Sequence, residues 1–160
     1  MKSSSLKELK QELQHLSQNE LLELCLKLSR FKKENKELLT YLLFEASDEN
    51  KYIANIREYI DEQFELVNTK SYYFIRKSMR KILTNTKKFI RYSKQKETEI
   101  ELLLYFCIKL KAFKPSITKS VRLVNIYNRQ MILIKKAIAT LHEDLQYDYR
   151  LEIEDLESKN

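Results

Sequence analysis

The chain has 160 residues, about the length of one ordinary domain, with no glycine and one proline. Tight β-hairpin turns and phosphate-binding loops both need residues that accept positive φ, so the lack of glycine argues against them. Lys and Arg number 30 against 23 Asp and Glu, and the formal net charge is +7. These features predict an all-α fold and exclude a Rossmann or P-loop nucleotide site.

The sequence predicts a cytoplasmic protein with no membrane partner. The longest apolar run, residues 102–108, is far shorter than the ~20 residues that span a bilayer. Residues 1–10 are polar and lack the apolar core of a signal peptide. Cys25 and Cys107 each lie among leucines, so we expect both to be buried free thiols and not a disulfide framework.

Two capping boxes mark the first two helices. Ser5 with Glu8, and Ser17 with Glu20, fit the Ser-x-x-Glu pattern in which each side chain bonds the other residue's backbone N–H. A polar stretch over residues 29–36 is expected to separate the second helix from a third. The third helix is expected to present Leu38, Leu39, Leu42, Leu43 and Ala46.

Apolar spacing predicts three more helices in the middle of the chain. Ser47 and Asp48 are expected to cap the fourth, whose apolar residues follow one another three or four apart. These residues are Ile53, Ile56, Ile60, Phe64 and Val67. The fifth helix, about 71–92, has an apolar seam of Ile75, Met79, Ile82, Thr86 and Phe89. The sixth, about 97–113, is apolar almost all round and ends before Pro115, so it is the predicted central core helix.

The remaining residues, 118–157, predict one long helix or two. Their apolar positions keep a near-heptad rhythm, which suits antiparallel packing or a dimer seam. These positions are Val121, Val124, Tyr127, Met131, Ile134, Ile138, Leu141 and Leu145. About seven helices result, in one all-helical domain over residues 1–160. A short solenoid-like stack of helical hairpins and an irregular bundle are both compatible with them.

Residues 21–32 and 103–114 are similar to one another. LLELCLKLSRFK and LLYFCIKLKAFK agree at seven of twelve positions. An ancestral duplication would favour the solenoid-like stack, whereas two amphipathic leucine helices also match often through composition alone.

Charge is sorted along the chain. Residues 1–65 hold 10 basic and 13 acidic side chains, residues 66–142 hold 18 and 3, and residues 143–160 hold 2 and 7. The net charges are −3, +15 and −5. At about 100° per residue, most basic side chains of the fifth helix fall opposite its apolar seam. We call nine residues of the fifth and seventh helices the basic face: Arg76, Lys77, Arg80, Lys81, Lys87, Lys88, Arg91, Arg122 and Arg129.

The basic face has three interpretations. It can dock an acidic protein partner, or it can bind nucleic-acid phosphates without base specificity. Tyr72, Tyr73 and Tyr92 would add base stacking if they were exposed. The third interpretation is a solvated helix face neutralised by the acidic flanks, for example by Asp144 and Asp148 or by Glu152 and Asp155.

Catalytic and metal sites are not predicted. His15 and His142 have no second ligand at a recognised metal spacing, and His142 points well away from Asp148 on a helical wheel. Glu97, Glu99 and Glu101 lie at the start of the sixth helix, where carboxylates favourably meet the helix dipole. We therefore expect no enzyme activity and no cofactor, although a small enzyme that uses the acidic C-terminal segment is a third alternative.

Three stretches carry a resemblance to known proteins: residues 31–46 (FKKENKELLTYLLFEA), 96–110 (KETEIELLLYFCIKL) and 139–149 (ATLHEDLQYDY). The chain resembles an uncharacterised family of bacterial, Bacteroidota-like all-helical proteins. The resemblance implies a bacterial cytoplasmic setting and no assigned activity, cofactor or site residue.

The leading hypothesis is a non-enzymatic helical interaction module. Its basic face would dock a protein partner or a second copy of the chain, and sequence-independent nucleic-acid binding by the same face is the alternative. No small-molecule site is identified from the sequence.

Overall fold

The computed structural model describes residues 1–158 and is all-helical over that range. It contains eight α-helices, which we number in chain order. They are α1 (Leu6–Gln14), α2 (Gln18–Phe31), α3 (Lys33–Thr40), α4 (Glu49–Glu65), α5 (Tyr72–Ser93), α6 (Lys96–Ala112), α7 (Val121–Ile138) and α8 (Glu143–Ser158). A π-helical segment, Tyr41–Glu45, follows α3, and a 3-10 turn, Ile117–Lys119, precedes α7. The all-α prediction is confirmed, with one helix more because the C-terminal region forms two.

The chain divides into two compact units, Met1–Phe44 and Glu45–Asn160. The single domain expected from the sequence, and its arrangement as a stack of hairpins, stay predictions. None of the helices in residues 1–158 combines the length and the apolar character that crossing a bilayer requires.

In the first unit, α1 and α2 begin where the sequence predicts. Both capping boxes are formed, with the Ser5 and Ser17 side chains accepting from the backbone N–H of Glu8 and Glu20. The third helix begins earlier than predicted, at Lys33, because only the extended backbone of Lys32 interrupts the helical chain. The polar stretch 29–36 is therefore mostly helical.

Cys25 is exposed, which corrects the prediction that both cysteines are buried. None of α1, α2 and α3 has a buried residue, and Tyr41 is the one buried side chain described in residues 1–44. Sequence spacing identifies the apolar face of α2, and for that reason its leucines are predicted to lie in the core. Whether another element covers that face depends on the tertiary structure.

The second unit is built around α6, as predicted. This helix packs against α4, α5 and α7. Seven of its apolar side chains are 2% exposed or less: Ile100, Leu102, Leu103, Leu104, Phe106, Cys107 and Leu110. Burial of each large aliphatic or aromatic side chain stabilises the fold by ~1.5–3 kcal/mol, so α6 anchors the core.

The two similar segments lie in opposite environments. Residues 21–32 fall in α2, which has no buried residue, whereas residues 103–114 include most of the buried stripe of α6. The cysteines at matching positions of the two segments show the same difference, since Cys25 is exposed and Cys107 is buried. The residues that the two segments share therefore reflect similar amphipathic helices that are packed differently.

Side-chain hydrogen bonds join the ends of three helices. Glu49, in the first turn of α4, accepts from the hydroxyl of Ser93 at the end of α5 and from that of Thr98 at the start of α6. Thr98 is fully buried. The α5–α6 connection is further shaped by Lys94, whose left-handed φ of 58° ends α5. These contacts fix how α5 lies on α6.

The break between α7 and α8 covers residues 139–142. Backbone N–H groups of Thr140 and Leu141 bond back to Ala137 and Ile138, and the Gln146 side chain donates to the Leu141 carbonyl at 2.7 Å. The last turn of α7 is thereby closed before α8 begins. The near-heptad spacing of apolar residues continues across this break. The sequence alone therefore does not decide between one long helix and two.

Candidate interaction groove between α5 and α7

Helices α5 and α7 both pack against α6 but make little direct contact with each other. A groove of about 640 Å³ lies between them. Its lining contains four cations, four apolar side chains and two amides, and no carboxylate. The ten residues are Arg80, Lys87, Arg122 and Arg129, then Leu83, Ile126, Ile132 and Leu133, then Asn125 and Gln130. We call this site the basic groove.

The four cations reach the groove because of their spacing. Arg80 and Lys87 are seven residues apart on α5, and Arg122 and Arg129 are seven apart on α7. Seven residues make about two helical turns, so each pair lies on one face of its helix, roughly 10 Å apart along the axis. The groove therefore has two positive charges along each wall.

The charge of the groove is not neutralised by the second unit. Within residues 45–158, no carboxylate oxygen lies within 4 Å of a charged nitrogen of Arg80, Lys87, Arg122 or Arg129. Three of these side chains are exposed, and Lys87 is half-buried. Burial lowers the pKa of Lys87, and the nearby Glu99 and Cys107 partly oppose that shift. An anion that entered the groove would relieve the repulsion among the cations.

Gln130 contributes a buried polar atom to the groove. Its side chain is 3% exposed, and its Nε2 donates to the Ile126 carbonyl at 3.2 Å. Its Oε1 has no hydrogen-bond partner among the described residues. A buried unpaired acceptor is costly, and the side chain that carries this one lines the groove. The only sequence signal for this position is a polar residue beside Met131 in an apolar stripe.

Five members of the basic face lie outside the groove lining: Arg76, Lys77, Lys81, Lys88 and Arg91. Lys77, Lys81 and Arg91 are exposed. Lys88 is half-buried, with its ammonium 4.9 Å from the centre of the Phe89 ring. The structure thus brings four of the nine predicted residues to one groove and leaves the others along α5.

Helix α8 makes polar contacts with α7 and α6 outside the basic groove. Glu157 accepts from Lys135 at 2.7 Å, near the end of α7. Tyr149 of α8 donates to Glu101 of α6 at 2.9 Å, and Glu101 also pairs with Arg57. Four cations of the second unit that pair with carboxylates, Arg57, Lys96, Lys109 and Lys135, all lie outside the lining of the basic groove.

The three tyrosines considered for base stacking differ in exposure. Tyr73 is 60% exposed, whereas Tyr92 is 9% exposed. Tyr72 is half-buried and donates to the Ser116 carbonyl at 2.8 Å. Of the three, Tyr73 has an exposed ring.

Residues 1–158 contain no group of three or more His, Cys, Asp and Glu side chains placed to hold a metal ion. His142 lies 3.4 Å from Asp144, with both side chains largely exposed. Glu97 and Glu99 lie in the first turn of α6, as expected, whereas Glu101 lies one turn further and pairs with Arg57.

No protein-family model, curated protein or solved structure matches this chain.

Proposed function

We propose that this protein is a non-enzymatic interaction module that binds an acidic, amphipathic segment of a protein partner in the basic groove. The observation that supports the proposal most directly is the composition of the lining, in which four cations lie among four apolar side chains and no carboxylate intervenes. The bacterial family and the cytoplasmic setting stay predictions.

Both parts of the lining contribute to this choice of partner. The side chains of Ile132 and Leu133 are 55% and 38% exposed, so they leave apolar surface to be covered. A helix with one apolar face can place leucine-like anchors against these side chains, which is the usual helix-in-groove mode. Acidic residues beside the anchors would meet the arginines, which favours rapid and specific encounter more than it adds raw affinity.

The test uses a synthetic helical peptide of about 20 residues with one leucine stripe and glutamate at the other positions. The titration follows backbone amide resonances of the isotope-labelled protein. We expect shifts clustered along both walls of the groove, between residues 80 and 87 on α5 and between 122 and 133 on α7. The triple variant Arg80→Glu, Arg122→Glu, Arg129→Glu should lose them.

A matched control carries the same change in charge elsewhere in the second unit: Lys51→Glu, Lys70→Glu and Lys114→Glu. These three side chains are exposed and do not line the groove. The control should keep the shifts of the original protein. Unchanged groove shifts in the triple variant, with its helical circular dichroism intact, would refute the proposal.

Nucleic-acid binding is the second candidate, and a different observation favours it. The basic residues continue along α5 from Arg76 to Arg91, about 22 Å at 1.5 Å per residue, well beyond the groove lining. That length is comparable to the distance spanned by several successive phosphates of a nucleic-acid backbone. This candidate does not use the apolar side chains of the groove, and it is therefore placed second.

A further inference from the structure

A second groove lies within the first compact unit, along the hairpin of α2 and α3. It has a volume of about 590 Å³ and is lined entirely by residues between Leu26 and Phe44. Its lining again combines cations with apolar side chains and has no carboxylate. The ten residues are Arg30, Lys32, Lys33 and Lys36, then Leu26, Leu39, Leu43 and Phe44, then Ser29 and Thr40. We call this site the hairpin groove.

The four cations of the hairpin groove are exposed and mostly unpaired within their unit. Lys33 lies 3.6 Å from Glu37, an i,i+4 pair on α3. Within residues 1–44, no carboxylate oxygen lies within 4 Å of a charged nitrogen of Arg30, Lys32 or Lys36. The Lys33 side chain is largely exposed, and such an i,i+4 pair contributes little, roughly 0.3–0.5 kcal/mol, so the lysine can turn to a stronger anion.

The apolar wall of this groove is uncovered. Leu43 and Phe44 are 64% and 73% exposed. Both belong to the π-helical segment that follows α3, and π-helical turns are frequent at functional sites. Tyr41, the first residue of that segment, is 5% exposed, so the segment buries one ring and presents the residues that follow.

We infer that the hairpin groove binds a second acidic amphipathic helix, so that one chain holds two such segments. Its ligand chemistry matches that proposed for the basic groove, and the inference rests on that proposed function for the class of partner. Charge complementarity decides the occupant, because four cations beside leucine and phenylalanine fit a helix that carries both carboxylates and apolar anchors.

Two other occupants fit less well. A bilayer surface is flat, whereas the exposed Leu43 and Phe44 line a concave groove that a helix can enter and a membrane cannot. A second copy of this chain, joined through a two-fold axis, would place the same four cations opposite themselves and would be repelled. An acidic helix meets both the shape and the charge.

Two separate sites give a defined advantage to a partner with two acidic segments. For a partner whose linker spans both grooves, binding at one groove raises the effective concentration of the second segment at the other, so the overall affinity exceeds that of either site. A partner with one acidic segment would instead be gathered in two copies.

The experiment measures the stoichiometry of the leucine–glutamate peptide by titration calorimetry on the full chain. We expect two peptides bound per chain. The variant Lys32→Glu, Lys33→Glu, Lys36→Glu should bind one, and its amide shifts should persist at α5 and α7. The control Lys2→Glu, Lys7→Glu, Lys10→Glu makes the same change in charge in the same unit, outside the groove, and should still bind two.

A second variant tests the apolar wall without altering charge. Leu43→Ser with Phe44→Ser removes two exposed side chains, so the fold should be retained. We expect affinity at the hairpin groove to fall on the order of tenfold or more. A peptide with glutamine in place of every glutamate should bind neither groove.

The outcomes separate the two proposals. One peptide per chain, still bound by the Lys32, Lys33 and Lys36 variant and lost on reversal of Arg80, Arg122 and Arg129, would overturn the hairpin groove alone. One peptide lost only in the Lys32, Lys33 and Lys36 variant would overturn the basic groove alone. Two further findings would also overturn the inference: phosphatidylserine vesicles that sediment with the chain through Leu43 and Phe44, or a dimer that these residues hold together.

Discussion

The hydroxyl of Tyr105 donates to the carboxylate of Asp61, with distances of 2.8 and 2.7 Å to its two oxygens. The same carboxylate lies 2.9 Å from the ammonium of Lys109, one turn further along α6. Arg57, one turn before Asp61 on α4, lies 5.1 Å from the centre of the Tyr105 ring. A chain of polar contacts thus joins α4 to the central helix beside its apolar core.

Replacing Asp61 by asparagine should destabilise the fold by about 1–2 kcal/mol at neutral pH, because two charge-assisted contacts weaken at a partly exposed site. Burial tends to raise the pKa of Asp61, but bonds from Lys109 and Tyr105 outweigh it, and the pKa is lowered. This stability is present above the ordinary pKa of about 3.9 and is lost as the pH falls through the lowered folded value.

The measurement for Asp61→Asn is urea unfolding at several pH values. The difference in the free energy of unfolding between the variant and the original chain should shrink in acid. The control is Glu62→Gln, which changes an exposed neighbour and should shift stability by less than about 0.5 kcal/mol. A constant difference from pH 7 to pH 2 would contradict the assignment.

Glu152 should behave in the opposite sense. Partial desolvation of this exposed side chain, and then the Glu101 carboxylate, raise its pKa, while Arg57 opposes the shift. A carboxyl with a raised folded pKa adds stability in acid and loses it as the pH rises through that value. Glu152→Gln should therefore stabilise the protein at pH 7, by less than about 1 kcal/mol because its side chain is exposed. Thermal unfolding at pH 7 and pH 3.5 checks this, and equal gains at both pH values would exclude it.

The two cysteines should differ sharply in reactivity. Burial raises the pKa of Cys107 to about 12, and nearby Lys87 only partly offsets the shift. Cys25 is exposed. Because the thiolate is the reactive form, iodoacetamide should modify only Cys25 in the folded chain and both thiols in guanidinium. Mass spectrometry of digested samples reads the two sites separately, and rapid labelling of Cys107 in the folded protein would contradict its burial.

The two similar segments offer a matched pair of leucines. Leu104 is 2% exposed, and its counterpart Leu22 is 56% exposed. Leu104→Ala should cost about 2–5 kcal/mol because it opens a cavity in the core. Leu22→Ala should cost less than about 0.5 kcal/mol, as is usual for a surface change. Chemical denaturation measures both, and equal costs would show that the two segments are packed alike.

Salt dependence separates the two candidate ligands of the basic face. A nucleic acid that contacts about six to ten phosphates should lose affinity by ~10³–10⁵ between about 50 and 200 mM salt. An acidic peptide that is also held by the apolar side chains of the groove should lose far less affinity, and we expect this second behaviour. The test compares labelled duplex DNA, single-stranded RNA and the leucine–glutamate peptide. The variant Arg76→Glu, Arg80→Glu, Lys87→Glu, Arg91→Glu serves as the comparison.

Much of the fold could be predicted because its signals are local. Ser5 and Ser17 cap helices through bonds to residues three positions away, and the seam of α5 follows from helical spacing. The all-round apolar character of α6 identifies the core helix for the same reason. The exposure of Cys25 could not be predicted, since it depends on how completely neighbouring elements cover a short helix. The boundary at Lys33 was not predicted because a single extended residue, Lys32, separates α2 from α3 without a glycine or proline to mark it.

The sequence by itself determined the helical class, the caps, the core helix and the nine cations of the basic face, because each depends on residues within a few turns of one another. Only the tertiary structure decided which of these cations line one groove. Arg80 and Arg129 lie 49 positions apart in the chain and line one groove because α5 and α7 both pack on α6 without closing on each other. Gln130 lines the same groove. Its side-chain oxygen lacks a hydrogen-bond partner because the packing buries it, which the sequence does not reveal.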